Sequence, residues 1–122
     1  MIQREFRTVL ENGDFGYVTL TYSELDPWAI HMAFGDDNNW VFSRDLLLDG
    51  VLDFAGLGDV KIWPGERYVH MRLESPDGEC ELRFVKRLLR QFANETRMLV
   101  TPGLENIDLD EMISDIFKKE NR

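Results

Sequence analysis

Residues 40–64, WVFSRDLLLDGVLDFAGLGDVKIWP, decide the fold. The segment opens on an apolar run with strong β preference. Ser43 or Asp45 can cap a short helix over residues 44–49, because a side-chain oxygen accepts a hydrogen bond from an unpaired backbone N–H. Gly50 is predicted to end that helix in a left-handed conformation. The first half of the segment is therefore predicted to be a strand followed by a short helix.

Two glycines punctuate the second half of the segment. Gly56 and Gly58 permit a tight bend before an alternating strand over residues 59–63. The same glycines also suggest a phosphate-binding loop, but such loops follow a strand and open a helix whose N-terminus holds the anion. Because these glycines precede a strand, we reject the phosphate site.

Alternating apolar and polar residues predict further strands on both sides of this segment. Turn signals separate them at Asn12-Gly13, at residues 35–38 and at Pro76-Asp77-Gly78. The three tryptophans lie in strand-like segments and are predicted to fill the core. The side chains predicted to face inward are Phe6, Thr8, Leu10, Val18, Leu20, Tyr22, Trp28, Ile30, Met32, Phe34, Trp40, Trp63, Val69, Met71, Leu73, Cys80 and Leu82.

The apolar period changes from strand-like to helical near the end of the chain. Pro102-Gly103 ends the first helical pattern, and residues 107–117 form a second amphipathic one. Strands first and helices last predict an α+β fold as a single domain over residues 1–122. We expect an antiparallel β-sheet core of about seven strands with a short inserted helix and two C-terminal helices. The first helical stripe consists of Val85, Leu88, Leu89 and Phe92.

Composition favours a cytoplasmic protein. No apolar run approaches the roughly 18 residues that a transmembrane helix needs, and the first residues lead directly into a strand pattern rather than a secretory signal. The single cysteine, Cys80, excludes an intrachain disulfide and fits a reducing compartment.

Charge is unevenly distributed along the chain. The net charge is −9, from 23 acidic and 14 basic side chains. Residues 83–97 carry five cationic side chains and one acidic side chain, a net +4 that leaves −13 on the rest. An acidic domain repels a phosphate backbone at long range, so we do not expect nucleic-acid binding.

Neither histidine is accompanied by a recognisable catalytic partner. His31 and His70 each lie within a strand pattern between apolar neighbours, which favours structural or surface roles. Cys80 alternates in phase with Leu82, which predicts a small buried side chain rather than a nucleophile. We therefore predict no catalytic residue and no enzyme activity.

Metal and cofactor sites are also not expected. One cysteine and two separated histidines do not make a zinc spacing. Residues 36–39, DDNN, offer oxygen ligands, but they lack the order of an EF-hand loop. A solvated hairpin tip is the favoured interpretation, and no cofactor is predicted.

The positive segment supplies the one candidate binding site. Arg83, Arg87 and Arg90 are three to four residues apart, a spacing that places them on one side of a helix. One interpretation is a solvated face opposite the apolar stripe. The other is a docking strip for an acidic partner segment or for anionic lipid headgroups.

Several blocks of the sequence, in this order and spacing, resemble the SsgA-like sporulation and cell-division proteins of actinobacteria. The resemblance covers residues 17–117. Its departures, a shorter segment before Asp26 and a richer basic cluster, leave the paralogue role and the host lineage open, including a non-sporulating relative or a phage. The blocks are Asp26-Pro27-Trp28-Ala29 with His31, residues 40–47 with Gly50, residues 56–64, residues 75–79, the helix ending near Arg97, Pro102-Gly103 and Asp108-Leu109-Asp110.

The resemblance implies a fold similar to the whirly-type nucleic-acid binders, assembled as a homotrimer. It implies a non-enzymatic role in positioning the septum, in which the chain recruits FtsZ or associated division proteins. Other members of the family are thought to guide peptidoglycan remodelling. The implied location is the cytoplasm at the cell septum, with peripheral contact to the septal membrane.

Two other function classes stay open as alternatives. Single-stranded nucleic-acid binding needs a basic groove with exposed stacking aromatics, and both the net charge and the expected inward tryptophans oppose it. An enzyme acting on cell-wall material needs polar groups that converge in a cleft, with His31 or His70 as the first suspects.

Overall fold

The computed structural model describes residues 1–35, 38–56 and 58–105. The sheet is antiparallel, and its strand order is β4-β3-β2-β1-β7-β6-β5. The predicted α+β class and the short inserted helix, α1, are confirmed. The predicted helix over residues 107–117 lies outside the described residues. In chain order the elements are β1 (Ile2–Leu10), β2 (Phe15–Ser23), β3 (Asp26–Phe34), β4 (Asn38–Ser43), α1 (Arg44–Gly50), β5 (Val60–Pro64), β6 (Tyr68–Ser75), β7 (Gly78–Val85) and α2 (Lys86–Leu99).

The sheet consists of two parts that meet at β1. Eight residue pairs join β1 to β2, whereas β1 pairs with β7 only through Val9 with Arg83 and Leu10 with Leu82. Helix α1 connects the edge strands β4 and β5 and packs against β5. The core thus lies between the inner face of the curled sheet and the two helices.

Strand alternation places one set of apolar residues in the core, as predicted for β1, β2 and β6. Leu47 and Leu48 enter it from α1, and Phe92 enters it from α2. Phe6 on β1 meets the rings of Phe84 and Phe92 edge to face, with centroids 5.6 and 5.9 Å apart. This arrangement suits the ring quadrupoles and fixes α2 over the centre of the sheet.

Helix α1 begins at the predicted cap. The Ser43 hydroxyl accepts a hydrogen bond from the Asp45 N–H at 3.1 Å. The predicted left-handed conformation of Gly50 is wrong: its φ is not positive, and the helix ends in ordinary helical geometry at Val51. A Cβ on Gly50 would lie 2.5 Å from side-chain atoms of Ile62. Glycine is needed here because α1 approaches β5 too closely for any side chain.

The bend before β5 is formed as predicted. Gly56 has a φ of +119°, and its backbone lies close to Val60 and Lys61. Ala55 and Ile62 exchange both backbone hydrogen bonds at 2.9 Å, which attaches the loop to the edge of the sheet. The loop leads into a strand, so it lacks the helix N-terminus that a phosphate loop requires.

Arg44, at the start of α1, is fully buried, with 1% of its surface exposed. Its guanidinium donates hydrogen bonds to the carbonyls of Thr96 at 3.0 Å and Val100 at 2.5 Å. It also donates to the Glu105 carboxylate at 2.5 Å and lies 5.1 Å from the ring centroid of Tyr22. The planar guanidinium therefore connects α1 to the last turn of α2 and to the chain beyond it.

The tryptophans do not fill the core, contrary to the prediction. Trp28 is 48% exposed, and Trp40 only packs against the edge of the core. Trp63 lies on the outer face of the sheet, stacked between Phe54 and His70 at centroid distances of 5.9 and 5.4 Å. In β5 the adjacent Ile62 takes the inward position, so Trp63 must face outward.

Cys80 is exposed, so the predicted burial is wrong. It shares a face with the buried Leu82 and pairs with Leu73 of β6, but β1 ends at Leu10 opposite Leu82, so Cys80 has no pairing partner on the β1 side. Partial desolvation, with the carboxylates of Glu11 and Glu81 nearby, raises the pKa of the thiol. A raised pKa makes the cysteine a poorer nucleophile at neutral pH.

Among the described residues, neither helix is long and apolar enough to cross a membrane.

Candidate functional site

Helix α2 follows β7 without a connecting loop. Val85 is the last strand residue and Lys86 the first helical one, and no side chain caps the helix N-terminus. The buried face of α2 consists of Leu89, Phe92, Ala93 and Thr96. The opposite face carries the basic residues and lies beside the turn between β5 and β6.

A groove of about 1010 Å³ separates this exposed face of α2 from the β5–β6 turn. One wall is formed by Glu66 and Arg67 of the turn, and the other by helix residues from Lys86 to Met98. The charged side chains that line it are Glu66, Arg67, Lys86, Arg87, Arg90 and Glu95. Four are cationic and two acidic, which makes the lining positive in a chain of net charge −9.

Lys86 holds the two walls together. Its backbone N–H donates to the Arg67 carbonyl, and its ammonium donates to the Gly65 carbonyl, each at 3.0 Å. The turn is closed by a hydrogen bond from the Gly65 N–H to the Tyr68 carbonyl at 2.7 Å. The groove is thus preorganised, so a ligand need not spend binding free energy on ordering its walls.

Three arginines of the groove lack a carboxylate partner in the part of the chain that the structure describes. Within the ranges 1–35, 38–56 and 58–105, Arg67, Arg87 and Arg90 make no ion pair with a carboxylate. Glu95 is occupied, because Arg4 of β1 contacts its carboxylate at 2.7 Å. Glu95 on the helix wall is therefore neutralised from outside the groove, while Glu66 and the three arginines make no ion pair within the described ranges.

Apolar surface accompanies this charge. Val85 is 39% exposed and Met98 is 86% exposed, and both line the groove. Leu88, predicted to be buried, is 40% exposed, because Leu89 takes the inward position next to it. A methionine side chain adapts its shape to an apolar partner at little cost.

The predicted trio of arginines is only partly brought together. Arg87 and Arg90 lie on α2 and line the groove, whereas Arg83 lies on β7 and does not. Arg83 pairs across the sheet with Val9 and His70, and it lies 3.9 Å from Glu81 on the outer face. The predicted helical spacing is wrong for Arg83, because β7 continues to Val85 before the helix begins.

Two groove residues were not predicted as part of the site. Arg67 is isolated in the sequence and reaches the groove only because β6 and β7 form a hairpin that returns the chain to that turn. Lys86 was counted in the positive segment, but nothing in the sequence distinguishes it from the adjacent Arg87 as the residue that joins the two walls.

The histidines occupy two different settings. His31 contacts the Asp26 carboxylate at 2.9 Å, and both side chains are about half exposed. It lies beside a small cavity of about 360 Å³ on the outer face of β1–β4, together with Thr19 and Thr21. Within the described chain, no hydroxyl or thiol is hydrogen-bonded to the imidazole, so the geometry of an activated nucleophile is not formed there.

His70 stacks on Trp63 with an interplanar angle of 6° and lies 3.8 Å from Glu81. It borders neither the groove nor the cavity beside His31. Its ring packs as part of an aromatic row on the outer face of the sheet.

No group of three or more His, Cys, Asp or Glu side chains capable of holding a metal ion occurs within the described part of the chain. The acidic tip Asp36-Asp37 lies outside those residues. Its neighbours Asn38 and Asn39 belong to β4, where they pair with β3.

Three comparisons relate this chain to known proteins. Residues 17–105 match the family described as "Streptomyces sporulation and cell division protein, SsgA". The protein named sporulation-specific cell division protein SsgB from Kineococcus radiotolerans is 44% identical over 107 residues, which cover 79% of this chain and 65% of that protein. The protein of the same name from Streptomyces coelicolor is 39% identical over 80% of this chain and 79% of its own length.

Solved structures share the fold. One structure, described as concerning SsgB mutations that correlate to longitudinal cell division during sporulation of Streptomyces coelicolor, aligns with a TM-score of 0.79 and 34% identity. It covers 85% of this chain and 91% of the other. The SsgA-like sporulation-specific cell division protein from Thermobifida fusca aligns with a TM-score of 0.75 and 33% identity, over 93% of each chain.

Proposed function

The chain belongs to the SsgA family of sporulation and cell division proteins, and on that premise we propose that it is a non-enzymatic adaptor of the division machinery. In this proposal it works in the cytoplasm at the septum, as a homotrimer, and recruits FtsZ or an associated division protein. The single observation that carries the proposal is the exposed cationic face of α2, at Arg87 and Arg90, in an otherwise acidic chain.

Physical chemistry favours an oligomer for this task. A single exposed ion pair contributes only about 0.2–1 kcal/mol, so one copy of such a surface binds weakly. Several copies held in one assembly raise the effective concentration of the surface and convert weak contacts into avidity. A polymer of repeating subunits, such as FtsZ, is the kind of partner that gains most from this arrangement.

Co-sedimentation with FtsZ filaments tests the proposal, with the solution mass measured by light scattering. We expect an oligomer that sediments with the filaments and is released as the salt concentration rises, since screening weakens exposed charge pairs. Arg87→Glu with Arg90→Glu should abolish sedimentation, whereas the matched control Arg83→Glu should preserve it. A monomer that never sediments with FtsZ or with other purified division proteins would refute the adaptor role.

One observation favours a second function, single-stranded nucleic-acid binding. Phe15, Tyr17 and Phe54 expose their rings on the outer face of the sheet, where Trp63 also lies. Exposed aromatic rings are the surfaces on which unpaired bases stack. Carboxylates such as Glu79 and Glu81 lie on β7 nearby, and the net charge of −9 opposes binding. Micromolar binding of a pool of single-stranded oligonucleotides of mixed sequence, at physiological salt, would establish this function in place of the adaptor role.

A further inference from the structure

The groove between α2 and the β5–β6 turn is an open site with a helix on one side and a turn on the other. Its volume of about 1010 Å³ is at the upper end of the range typical of small-molecule pockets, roughly 300–1,000 Å³. Its walls are a helix and a turn joined by both hydrogen bonds of Lys86. An open groove between two joined walls can seat a segment of polypeptide.

Charge determines which segment fits. Arg67, Arg87 and Arg90 project from both walls, and none forms an ion pair within the described residues. Guanidinium groups bind carboxylates in a bidentate geometry that an ammonium cannot match. The ion pair between Arg4 and Glu95 offsets one of the two acidic charges in the lining, so that Glu66 faces the three arginines as the remaining acid.

The apolar residues add a second requirement. Val85 and Met98 lie exposed in the groove, so an occupant made only of acidic residues would leave their apolar surface in water. One apolar side chain among the carboxylates would cover it. Charge and hydrophobic contact together restrict the occupant more than either does alone.

We infer that this groove binds an acidic segment of a partner protein that carries an apolar side chain among its carboxylates. The inference deepens the proposed function, since it names the chemistry by which the adaptor would recognise its partner. A membrane surface is a poorer occupant, because the −13 on the rest of the chain opposes approach to anionic lipid. A short peptide within a Debye length of about 8 Å experiences mainly the local positive charge.

Fluorescence anisotropy with labelled synthetic peptides tests the inference on the full chain. The main probe is a Glu/Asp-rich peptide with one central Leu, and the comparison probes replace that Leu with Ser or the acids with Lys. We expect the Leu-containing acidic peptide to bind most tightly, the Ser version several-fold more weakly, and the Lys version not at all. Equal binding of the acidic and Lys peptides, or no binding of any, would overturn the inference.

Variants then locate the site. Arg87→Glu with Arg90→Glu should weaken binding of the acidic peptide at least about tenfold, since two attractive contacts become repulsive. The matched control Arg97→Glu makes the same charge reversal on the same helix, outside the groove lining, and should weaken binding less than about twofold at physiological salt. Equal effects of the groove and control variants would show that only overall charge matters and would refute a specific site.

Two further variants test the finer argument. Met98→Ser should reduce affinity for the Leu peptide but not for the Ser peptide, a coupling that a double-mutant cycle measures. Arg4→Gln lies outside the groove and should weaken binding several-fold by exposing the charge of Glu95, and adding Glu95→Gln should restore it. Loss of peptide affinity in Arg4→Gln that Glu95→Gln does not rescue, or no coupling at Met98, counts against the assigned geometry.

The same variants separate this inference from the adaptor role. If FtsZ sedimentation survives Arg87→Glu with Arg90→Glu, the groove is not the contact and the inference fails while the adaptor role stands. If the peptide binds in the groove but no division protein does, the inference stands and the adaptor role fails. Vesicles of phosphatidylglycerol serve as a third probe: binding to them in place of the peptide, lost on the same reversal, would overturn the peptide assignment in favour of lipid.

Discussion

Arginine occupies two opposite environments at the two ends of α2. Near the C-terminal end, Arg44 is buried and donates to two carbonyls and a carboxylate. Along the first turns, Arg87 and Arg90 are exposed and contact no carboxylate within the described residues. The guanidinium of Arg44, whose two terminal nitrogens are both engaged within the chain, holds the fold together, whereas one without a carboxylate partner among the described residues can bind another molecule.

The largest expected effect comes from breaking the buried arginine contact. Arg44→Met removes the donors for the Thr96 and Val100 carbonyls, and we expect the free energy of unfolding to fall by at least about 2 kcal/mol. Urea denaturation measures this change. The control Arg97→Met alters an exposed arginine on α2, next to Thr96, and should stay within about 0.5 kcal/mol of the parent chain. Equal stability of the two variants would contradict a structural role for Arg44.

The next effect concerns the helix that begins at Arg44. Gly50→Ala places a Cβ 2.5 Å from Ile62, and relieving that overlap must displace α1 from β5. We expect a loss of about 1–3 kcal/mol in unfolding free energy, typical of an overpacked core. Gly58→Ala is the matched control, because a Cβ there meets nothing within 4 Å. A Gly50→Ala variant as stable as Gly58→Ala would show that the close packing of α1 is not required.

A pH-dependent effect is expected from the partner of Arg44. The pKa of Glu105 is lowered, chiefly by the hydrogen bond from Arg44. Because this pKa is lower in the folded chain, the unfolded chain binds more protons at pH values near and between the folded and unfolded pKa values. Stability therefore rises with pH in that range. The contribution is complete above the ordinary glutamate pKa of about 4.3 and is lost as pH falls through the folded value.

Denaturation of the parent chain and of Glu105→Gln across the acidic range should show this dependence. The stability difference between them should be largest near neutral pH and shrink on acidification. In the Arg44→Met background the same substitution should show a smaller pH dependence, since the Arg44 donor is absent and only backbone N–H groups still lower the pKa of Glu105. A difference that is constant with pH in the parent chain would mean that the ion pair does not lower the pKa.

The smallest stability effect belongs to the groove. Arg87→Glu and Arg90→Glu alter exposed side chains without an internal partner in the described structure, so we expect unfolding free energies within about 0.5 kcal/mol of the parent. Thermal unfolding followed by circular dichroism measures this. A larger loss would place these arginines with Arg44 as structural residues and remove the contrast between the two ends of α2.

The fold class was predictable because strand alternation in β1, β2 and β6 is regular and the turns carry recognisable residues. The prediction of which side chains face the core was wrong where two apolar residues are adjacent in the sequence. Ile62 beside Trp63, and Leu88 beside Leu89, offer two candidates for one inward position, and periodicity alone does not choose between them. In both pairs packing against the neighbouring elements made the choice.

The site was predictable only as a positive segment. The boundary between β7 and α2 decides whether Arg83 joins Arg87 and Arg90, and such boundaries are poorly marked when no capping residue is present. Arg44 gave no signal at all, because its partners at Thr96 and Val100 are more than fifty residues away in the chain. Arg67 likewise enters the groove through tertiary structure alone.

The direct passage from β7 into α2 makes the sheet and the basic helix face a single mechanical unit. An α-helix turns about 100° with each residue, so one inserted residue between Val85 and Lys86 would swing Arg87 and Arg90 out of the groove by more than a quarter turn. The buried stripe of the helix would rotate with them, away from Phe6. The orientation of the basic side chains is therefore coupled to the length of the strand before them. An insertion or deletion at the end of β7 would change both together.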